Sequence, residues 1–580
     1  MSFHRALALL LFTVYLFACG GGADAPPGFA DKTTPDLQVN QVGYYSKQPI
    51  RFTYAAVAGD DSRTPPPDDG TYYLMNAATD SAVTEGRLGA PENWQELAGV
   101  TARSATIAPP AAGRYRVYVP GVGYSPAFTV GDSVLHGAFL ASMRGLYYQR
   151  ASQELRPEHA GDYARALGHP DTDIRYHPSS GRTTGSLRSP GGWYDAGDYN
   201  KYVVNGAFPV GQLLALYEDV GDPAPDGTLN IPESGNGKSD YLDEVKYELD
   251  WLLTMQDDDG GLFHKLTALN FEGMVMPAEA TAQRYVVAKS TAATFDFAGA
   301  TAQAARVYRD YDPAYASRLL AAARHAWQWG LAHPAEFFKN PEDVTTGEYG
   351  DGNADDERAW AAAELFATTG EQEYYREMRA HPPRIRAGAG WNGYMANLAA
   401  FSLLRHPDRV PREYYDTLSG LVETLADSLV MDTETTAYYQ PLRQFRWGSN
   451  SDVLNDAMII AAAHRRDPKP EYLTAMQGCM NYILGHNPNG VSYLTGFGER
   501  SPQFIHHRPS AADGIDAPVP GLLSGGPNPG QQDREEVTYP AGLSPMTSWI
   551  DQTPSYATNE ICLNWNAPFT YVAGYLEAVR

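Results

Sequence analysis

The sequence predicts a mainly α protein, a double-layered α/α barrel of six helical hairpins behind a small β-sandwich. Three observations carry this. From Leu37 to Val130, short runs with β-branched and aromatic residues are broken by Pro and Gly, the pattern of strands in a sandwich. After Ser133 the apolar period becomes 3.6, and twelve helical faces follow. No fixed repeat length links those faces, which favours one closed core over a superhelical array.

The elements follow in order. Met1 to Arg5 is a short basic start, Ala6 to Ala18 is apolar, and Cys19 precedes three glycines. That apolar run is too short to span a bilayer and reads as an export signal. Leu16-Phe17-Ala18-Cys19 resembles a lipobox, so residues 1–19 are expected to be a lipoprotein signal and Cys19 the lipidated residue, although Phe17 is bulky for the motif. Residues 20–36 read as a flexible tether. The sandwich is placed at 37–132, with strands at Ile50 to Ala56, Thr71 to Asn76, Ala105 to Ile107 and Tyr115 to Val119, and a turn at Asp68-Asp69-Gly70. The barrel is placed at 133–580. Its helices are expected at 134–151, 204–219, 240–256, 290–309, 312–332, 354–369, 371–380, 393–405, 412–430, 451–466, 469–485 and 564–579, with scarcely a strand between them. The long stretches 157–203, 257–289 and 486–563 are left for function.

Composition excludes whole classes. With 44 basic and 69 acidic residues, a net charge of −25, the chain repels nucleic acid and anionic surfaces. Hydrophobic residues at 43% supply a core, while 55 glycines, 42 prolines and 38 tyrosines imply shaped loops lined with rings, a lean toward neutral sugars. Three cysteines build no disulfide framework, and Cys479 and Cys562 read as buried thiols. Gly237-Lys238-Ser239 lacks the rest of a phosphate loop, and Gly388 to Gly393 matches a dinucleotide motif by letters only. Asp257 to Gly260 lacks the spaced ligands and closing Glu of a calcium loop. No serine-nucleophile elbow, HExxH or paired CxxC occurs.

The informative stretch is Gly191 to Tyr202, in which Asp195 and Asp198 stand three apart among aromatic residues. Two carboxylates so placed can hold one water, and whichever is ionised can take its proton. In the later stretch Trp549 to Glu560, Glu560 sits among apolar residues with Asp551 nine positions before it, an environment that raises a carboxyl pKa and suits an acid. Between them, His506 and His507 are adjacent in an extended segment and point opposite ways, so they share no metal; one of them and Arg508 can face a sugar.

These motifs together resemble glycoside hydrolase family 9, mostly cellulases, over nearly the whole mature chain. Asp195-Ala-Gly-Asp198 matches the family's base loop, Ser492 to Arg508 its histidine signature, and Trp549 to Ala567 its acid signature, departing only at Cys562. Ile231 to Gly237, Tyr241 to Glu244 and Trp251 to Gly261 are also typical, and Val39 to Tyr44 opens a segment similar to the immunoglobulin-like module of one family branch. The resemblance implies inverting hydrolysis of β-1,4-glucosidic bonds, with Asp198 as base, Asp195 helping to hold the water and Glu560 as acid. It implies support of the acid end by Asp551 and sugar contacts by His506 and Arg508. Trp193, Trp447, Trp549, Tyr556 and Trp565 are candidate stacking platforms. An inverting pair needs carboxyls about 6.5–9.5 Å apart, so Asp195 and Asp198 are too close to be the pair.

The resemblance also bears on metals and location. Sandwich-bearing members often hold zinc after the first barrel helix; here Gln149 to His177 contains no Cys, so that site is expected to be lost. Asp355-Asp356-Glu357 matches a family calcium site, with Asp356 and Glu357 as ligands, against ordinary helix-start charge as the alternative. No cofactor is expected for the chemistry. The expected enzyme is a monomeric, endo-acting β-glucanase, exported and held at the envelope by lipid alone, in an outer membrane because Gly20 follows Cys19; simple secretion is the alternative. With no appended binding module expected, soluble or hemicellulosic β-glucans suit it better than crystalline cellulose. An exo-acting glucosidase or glucosaminidase is the rival within the enzyme class, and a noncatalytic carbohydrate-binding surface protein the rival outside it. The preferred polymer is left open.

Overall fold

The computed structural model describes residues 32–57 and 69–580. Residues 1–31, including the expected lipobox and Cys19, and the turn residue Asp68 lie outside the described residues.

Two sheets form the front module. One has strand order β1 (Leu37–Gln38), β3 (Ile50–Val57), β7 (Val100–Ile107), β6 (Glu92–Trp94). The other runs β2 (Gly43–Tyr45), β10 (Phe128–Gly131), β8 (Gly113–Val119), β4 (Thr71–Asn76), β5 (Ala82–Arg87), with β9 (Gly123–Tyr124) paired to β8. Ile50, Phe52, Leu74, Val117 and Phe128 fill the space between them. The sequence pattern finds β3, β4, β8 and the end of β7; β1, β2, β6, β9 and β10, of two to four residues, are too short to show a period, and β5 is mostly exposed and carries little apolar signal.

Twelve helices build the barrel: α1 (His136–Tyr148), α2 (Val203–Val220), α3 (Asp240–Thr254), α4 (Thr291–Val307), α5 (Pro313–Ala332), α6 (Asp355–Thr369), α7 (Gln372–Ala380), α8 (Met395–Arg405), α9 (Arg412–Thr435), α10 (Ser449–Arg466), α11 (Pro470–Ile483) and α12 (Leu563–Val579). Each begins within a few residues of its expected position. The even-numbered helices form the inner ring: α2, α4, α6 and α8 pack in succession, and α10 and α12 close the ring back onto α2. Their apolar faces extend all round, as burial from Val203 to Leu216 in α2 shows, whereas outer helices such as α7 bury one stripe. Helix starts are marked as the sequence chemistry requires: Ser239, Ser290 and Asp312 each accept a backbone N–H from the first turn of α3, α4 and α5.

A five-stranded sheet departs from the expectation of an unbroken helical array. Its order is β12 (Ser186–Leu187), β11 (Ile174–Tyr176), β15 (Arg284–Val286), β14 (Lys265–Ala268), β13 (Lys201–Tyr202). Strands of two to four residues are too short to show a period of two. They form because two long loops lie side by side and must satisfy their backbone groups.

The front module is bound to the barrel by specific polar contacts. Asn40 Nδ2 donates to Asn481 Oδ1 at 2.8 Å, Tyr45 OH to Glu577 Oε1 at 2.8 Å, and Tyr438 OH to Gln38 Oε1 at 2.8 Å.

Candidate active site

Segments entering the inner helices converge on one open cleft of about 470 Å³. Asp195 and Asp198 precede α2, Tyr349 precedes α6, Trp391 precedes α8, Trp447 precedes α10, and Glu560 precedes α12. The cleft therefore lies at the positive ends of several helix dipoles, which favours developing negative charge there.

The base loop is held on every side. Asp195 is buried; Asn205 Nδ2 donates to its Oδ1 at 2.6 Å and Tyr349 OH to its Oδ2 at 2.7 Å. Tyr349 has a φ of 48°, an unusual state for a bulky residue, sustained here by the loop that aims its hydroxyl. Asp198 Oδ2 accepts from Asn200 Nδ2 at 2.6 Å, and its Oδ1 has no partner among the described residues. That oxygen is free to accept a proton from a water in the cleft.

Burial raises the pKa of all three carboxyls. Glu560 is driven well above the carboxylate range by burial and by repulsion from Asp198 and Asp195, with Arg508 opposing. Burial likewise raises Asp198, with Arg508 and Asn200 opposing. Asp195 is pushed to about 8 by burial and Asp198, although two donors aimed at its oxygens favour the ionised form. Three carboxyls so close cannot all ionise at neutral pH. Burial and both aspartates favour the protonated form of Glu560, while Asn200, Asn205 and Tyr349 donate to the aspartates and oppose the rise caused by burial.

The remaining expected residues fall into two groups. Trp447 lines the cleft at 40% exposure and lies 5.4 Å from the ring of Tyr556, so both are placed to meet a sugar face. His506 sits 6.0 Å from Tyr556 and donates from Nδ1 to the Thr553 carbonyl, which leaves Nε2 as an acceptor; burial lowers its pKa to about 4, so it is neutral. His507 turns away to Gln149, as adjacent extended residues must. Asp551 supports the acid segment: it accepts from the backbone N–H groups of Gln503 and Phe504 and from Asn559 Nδ2. Trp565 lines the cleft as well, whereas Trp549 spends its indole N–H on Ser524.

One expected sugar contact is reassigned. Trp193 is not a platform: it is 1% exposed, and its Nε1 donates to Glu244 Oε1 at 2.8 Å in the core behind the loop. Arg508 donates from Nε and Nη1 to the carbonyls of Glu272 and Gly197, so it locks the base loop and presents its charge to Asp198 and Glu560; these bonds leave its expected sugar contact through Nη2 open.

Sequence reasoning missed Tyr349, Asn205, Asn200, Trp391 and Phe271. Tyr349 acts across 154 residues and carries no local motif, whereas Asn200, inside the base loop, and Asn205, in the first turn of α2, stood close enough to the aspartates to be named. Trp391 lies inside the glycine-rich stretch that fails as a dinucleotide motif; its ring between glycines was the usable signal. Phe271 lines the cleft on an exposed loop.

The two metal regions differ. After α1, Arg150 is fully buried between Glu233 and Glu244, and His169 Nδ1 meets Tyr194 OH at 2.8 Å. At the start of α6, Asp356 Oδ2 and Glu357 Oε2 are buried without partners, and both oxygens of nearby Asp296 are in the same state. No group of three or more His, Cys, Asp or Glu side chains among the described residues is already gathered to hold a metal ion.

Comparison with known proteins agrees with this architecture. The model of glycosyl hydrolase family 9 matches residues 136–573. A xyloglucan-specific endo-β-1,4-glucanase of Bacteroides ovatus is 37% identical over 568 residues, covering 94% of each chain. Endoglucanase D of Acetivibrio thermocellus is 37% identical over 476 residues, 80% of this chain and 73% of its own. Among solved structures, a Bacteroides ovatus family 9 protein superposes with a TM-score of 0.85 at 35% identity, over 94% of this chain and 99% of that one. A metagenome-derived family 9 endoglucanase gives 0.87 at 34% identity, with the same coverage. Its barrel, its cleft and these relatives place the chain in glycoside hydrolase family 9.

Proposed function

We propose that Asp198 and Glu560 are the base and acid of a single-displacement glycosidase acting on β-glucans. The observation that carries this is the pairing in one cleft of a carboxylate with one free buried oxygen, Asp198, and a carboxyl driven toward its protonated form, Glu560. Asp198 takes a proton from water as the water attacks the anomeric carbon, and Glu560 gives its proton to the departing oxygen. Asp195 helps to hold the water, and His506 and Tyr556 bind near the cleavage point. The chain is an endo-acting β-1,4-glucan hydrolase. Its exposed aromatics Phe271 and Trp447 line the same open cleft as the carboxyls, which suits a polymer passing through. Xyloglucan leads the panel of polymers to try, because the relative spanning 94% of both chains is named for it.

The first product from a β-linkage is expected to be the α-anomer, seen by proton NMR early in hydrolysis. The viscosity of a soluble β-glucan should collapse while few reducing ends appear. A β-anomer appearing first would remove the single-displacement reading, and slow viscosity loss with immediate glucose or glucosamine release would make the enzyme exo-acting.

Calcium at the start of α6 belongs to the same reading. The buried oxygens of Asp356 and Glu357 that have no partner among the described residues are hard donors that a divalent cation would satisfy. Adding a chelator is expected to lower the melting temperature, calcium to restore it, and Asp356→Asn to abolish the response. An identical melting curve with chelator and with calcium would exclude the ion.

Export with a lipid anchor at Cys19 completes the proposal; among the described residues no helix is long and apolar enough to cross a membrane. Cys19→Ser should move the enzyme from the membrane fraction to the soluble fraction, and a wild-type enzyme wholly soluble outside the cell would refute the anchor.

A further inference from the structure

Lys265, in β14, is fully buried beneath the site, and every group it touches is neutral. Its Nζ donates to Asn340 Oδ1 at 2.8 Å, Thr346 Oγ1 at 3.0 Å and the Gly347 carbonyl at 2.7 Å, under the rings of Tyr202 and Phe338. The other buried lysine of this sheet, Lys201, is different, because Asp171 Oδ2 pairs with it at 2.8 Å. An ammonium buried without a paired carboxylate costs stability unless its field does work elsewhere. The carboxylates that sense Lys265 are Asp198, Glu348 and Asp195.

The same strand also reaches both aspartates through hydrogen bonds. Thr267 Oγ1 and the Ala268 N–H donate to Asn200 Oδ1, each at 3.0 Å, and Asn200 in turn donates to Asp198. On the other side, Lys265 grips Thr346 and Gly347, and Tyr349 two residues on donates to Asp195.

We propose that Lys265 is a positioning residue for the base: a buried ammonium, without a paired carboxylate among the described residues, that pins the strand and loop holding both aspartates and turns its charge toward them. This rests on the reading of Asp198 as base. The charged groups that face the aspartates come from every packed element. Arg508 and Arg284 are the further cations. Asp195 and Asp198 face each other, and Glu560 with Cys562 stands opposite on the α12 side. Glu272, Glu348, Tyr202 and Tyr349 complete the ring, and neutral His264 adjoins Lys265. Lys265 spends its donors on neutral groups of a second loop, the side chains of Asn340 and Thr346 and the Gly347 carbonyl. Burial draws its own pKa down to about 7, opposed by the charges of Asp198, Glu348 and Asp195.

The test is the pH profile of kcat/KM. Lys265→Met should move the acid limb to higher pH by about one unit, because the ionised base loses a favourable charge. Lys265→Arg, which keeps the charge, should leave the limb near its wild-type position. Asn340→Asp places a carboxylate against the ammonium and should move the limb the same way by less, while Asn340→Ala should not move it. If Lys265→Met fails to fold, the comparison of Asn340→Asp with Asn340→Ala decides alone. Superimposed acid limbs for Lys265→Met and wild type, or for the two Asn340 variants, overturn the role of Lys265. Full activity in Asp198→Asn instead overturns the base itself, so the two failures are distinguishable.

Discussion

Asp198→Asn and Glu560→Gln are each expected to cut turnover on a β-glucan by about 10²–10⁴-fold while leaving the fold intact. Asn keeps the shape of Asp198 and its contact with Asn200 but offers no basic oxygen to the water. Gln keeps the shape of Glu560 but has no acidic proton for the leaving oxygen. An aryl glycoside with a good leaving group needs no protonation, so it should recover much of the rate in Glu560→Gln and none in Asp198→Asn. Equal losses on both substrates in both variants would refute the assignment. The pH profile follows from the same burial: activity falls on the acid side as Asp198 takes up its proton and on the alkaline side as Glu560 loses its own. Stability should move the other way. A carboxyl whose folded pKa is raised stabilises fully only below its unfolded value and loses that contribution as pH rises through its folded value. At neutral pH, amide variants should therefore melt no lower than wild type, and calorimetry would show it.

How much of this was legible in the sequence depends on the distance over which each signal acts. Helix positions were legible because burial of one face prints a 3.6 period into every hairpin, and the inner helices α2 and α12 were recognisable as apolar runs. Asp195, Asp198 and Glu560 were legible because short stretches of sequence present them among aromatic residues. Trp193 misled for the same reason: an indole next to a functional loop reads as a platform, yet its N–H is committed to Glu244 in the core. Arg508 was legible as a guanidinium near the site, but its bonds to the Gly197 and Glu272 carbonyls depend on packing that no local pattern shows. Tyr349 and Lys265 were invisible because their roles depend on which distant loop folds beside which. The five-stranded sheet was invisible because pairs of residues carry no period.

Gly197→Ala, a change of one methyl group, is expected to cost about 10²-fold or more in kcat, comparable to removing a general acid or base. Gly197 lies between Asp195 and Asp198, and a Cβ there would stand 2.0 Å from the His506 carbonyl oxygen and 2.9 Å from its carbon. That contact is backbone, so no rotamer can relieve it. His506 is bonded in turn to the acid segment: its N–H donates to the Asn559 carbonyl at 2.9 Å, and it pairs with Glu560 as a parallel bridge. The Arg508 N–H and Nη1 both donate to the Gly197 carbonyl, at 3.0 and 2.9 Å, from the other side of the same junction. A second link, from the Leu563 N–H to the Asp195 carbonyl at 2.9 Å, ties the base loop to the start of α12. The proposed base and acid thus belong to one hydrogen-bonded unit, and the added methyl must push its two halves apart. A shift of about 1 Å between groups that act on one bond is enough for a loss of that size. Gly273→Ala is the control, because a Cβ there meets nothing within 4 Å. The expected readout is a large fall in kcat for Gly197→Ala with a smaller change in KM, and wild-type kinetics for Gly273→Ala. A Gly197→Ala enzyme with wild-type kcat would show that base and acid are positioned independently of their shared junction.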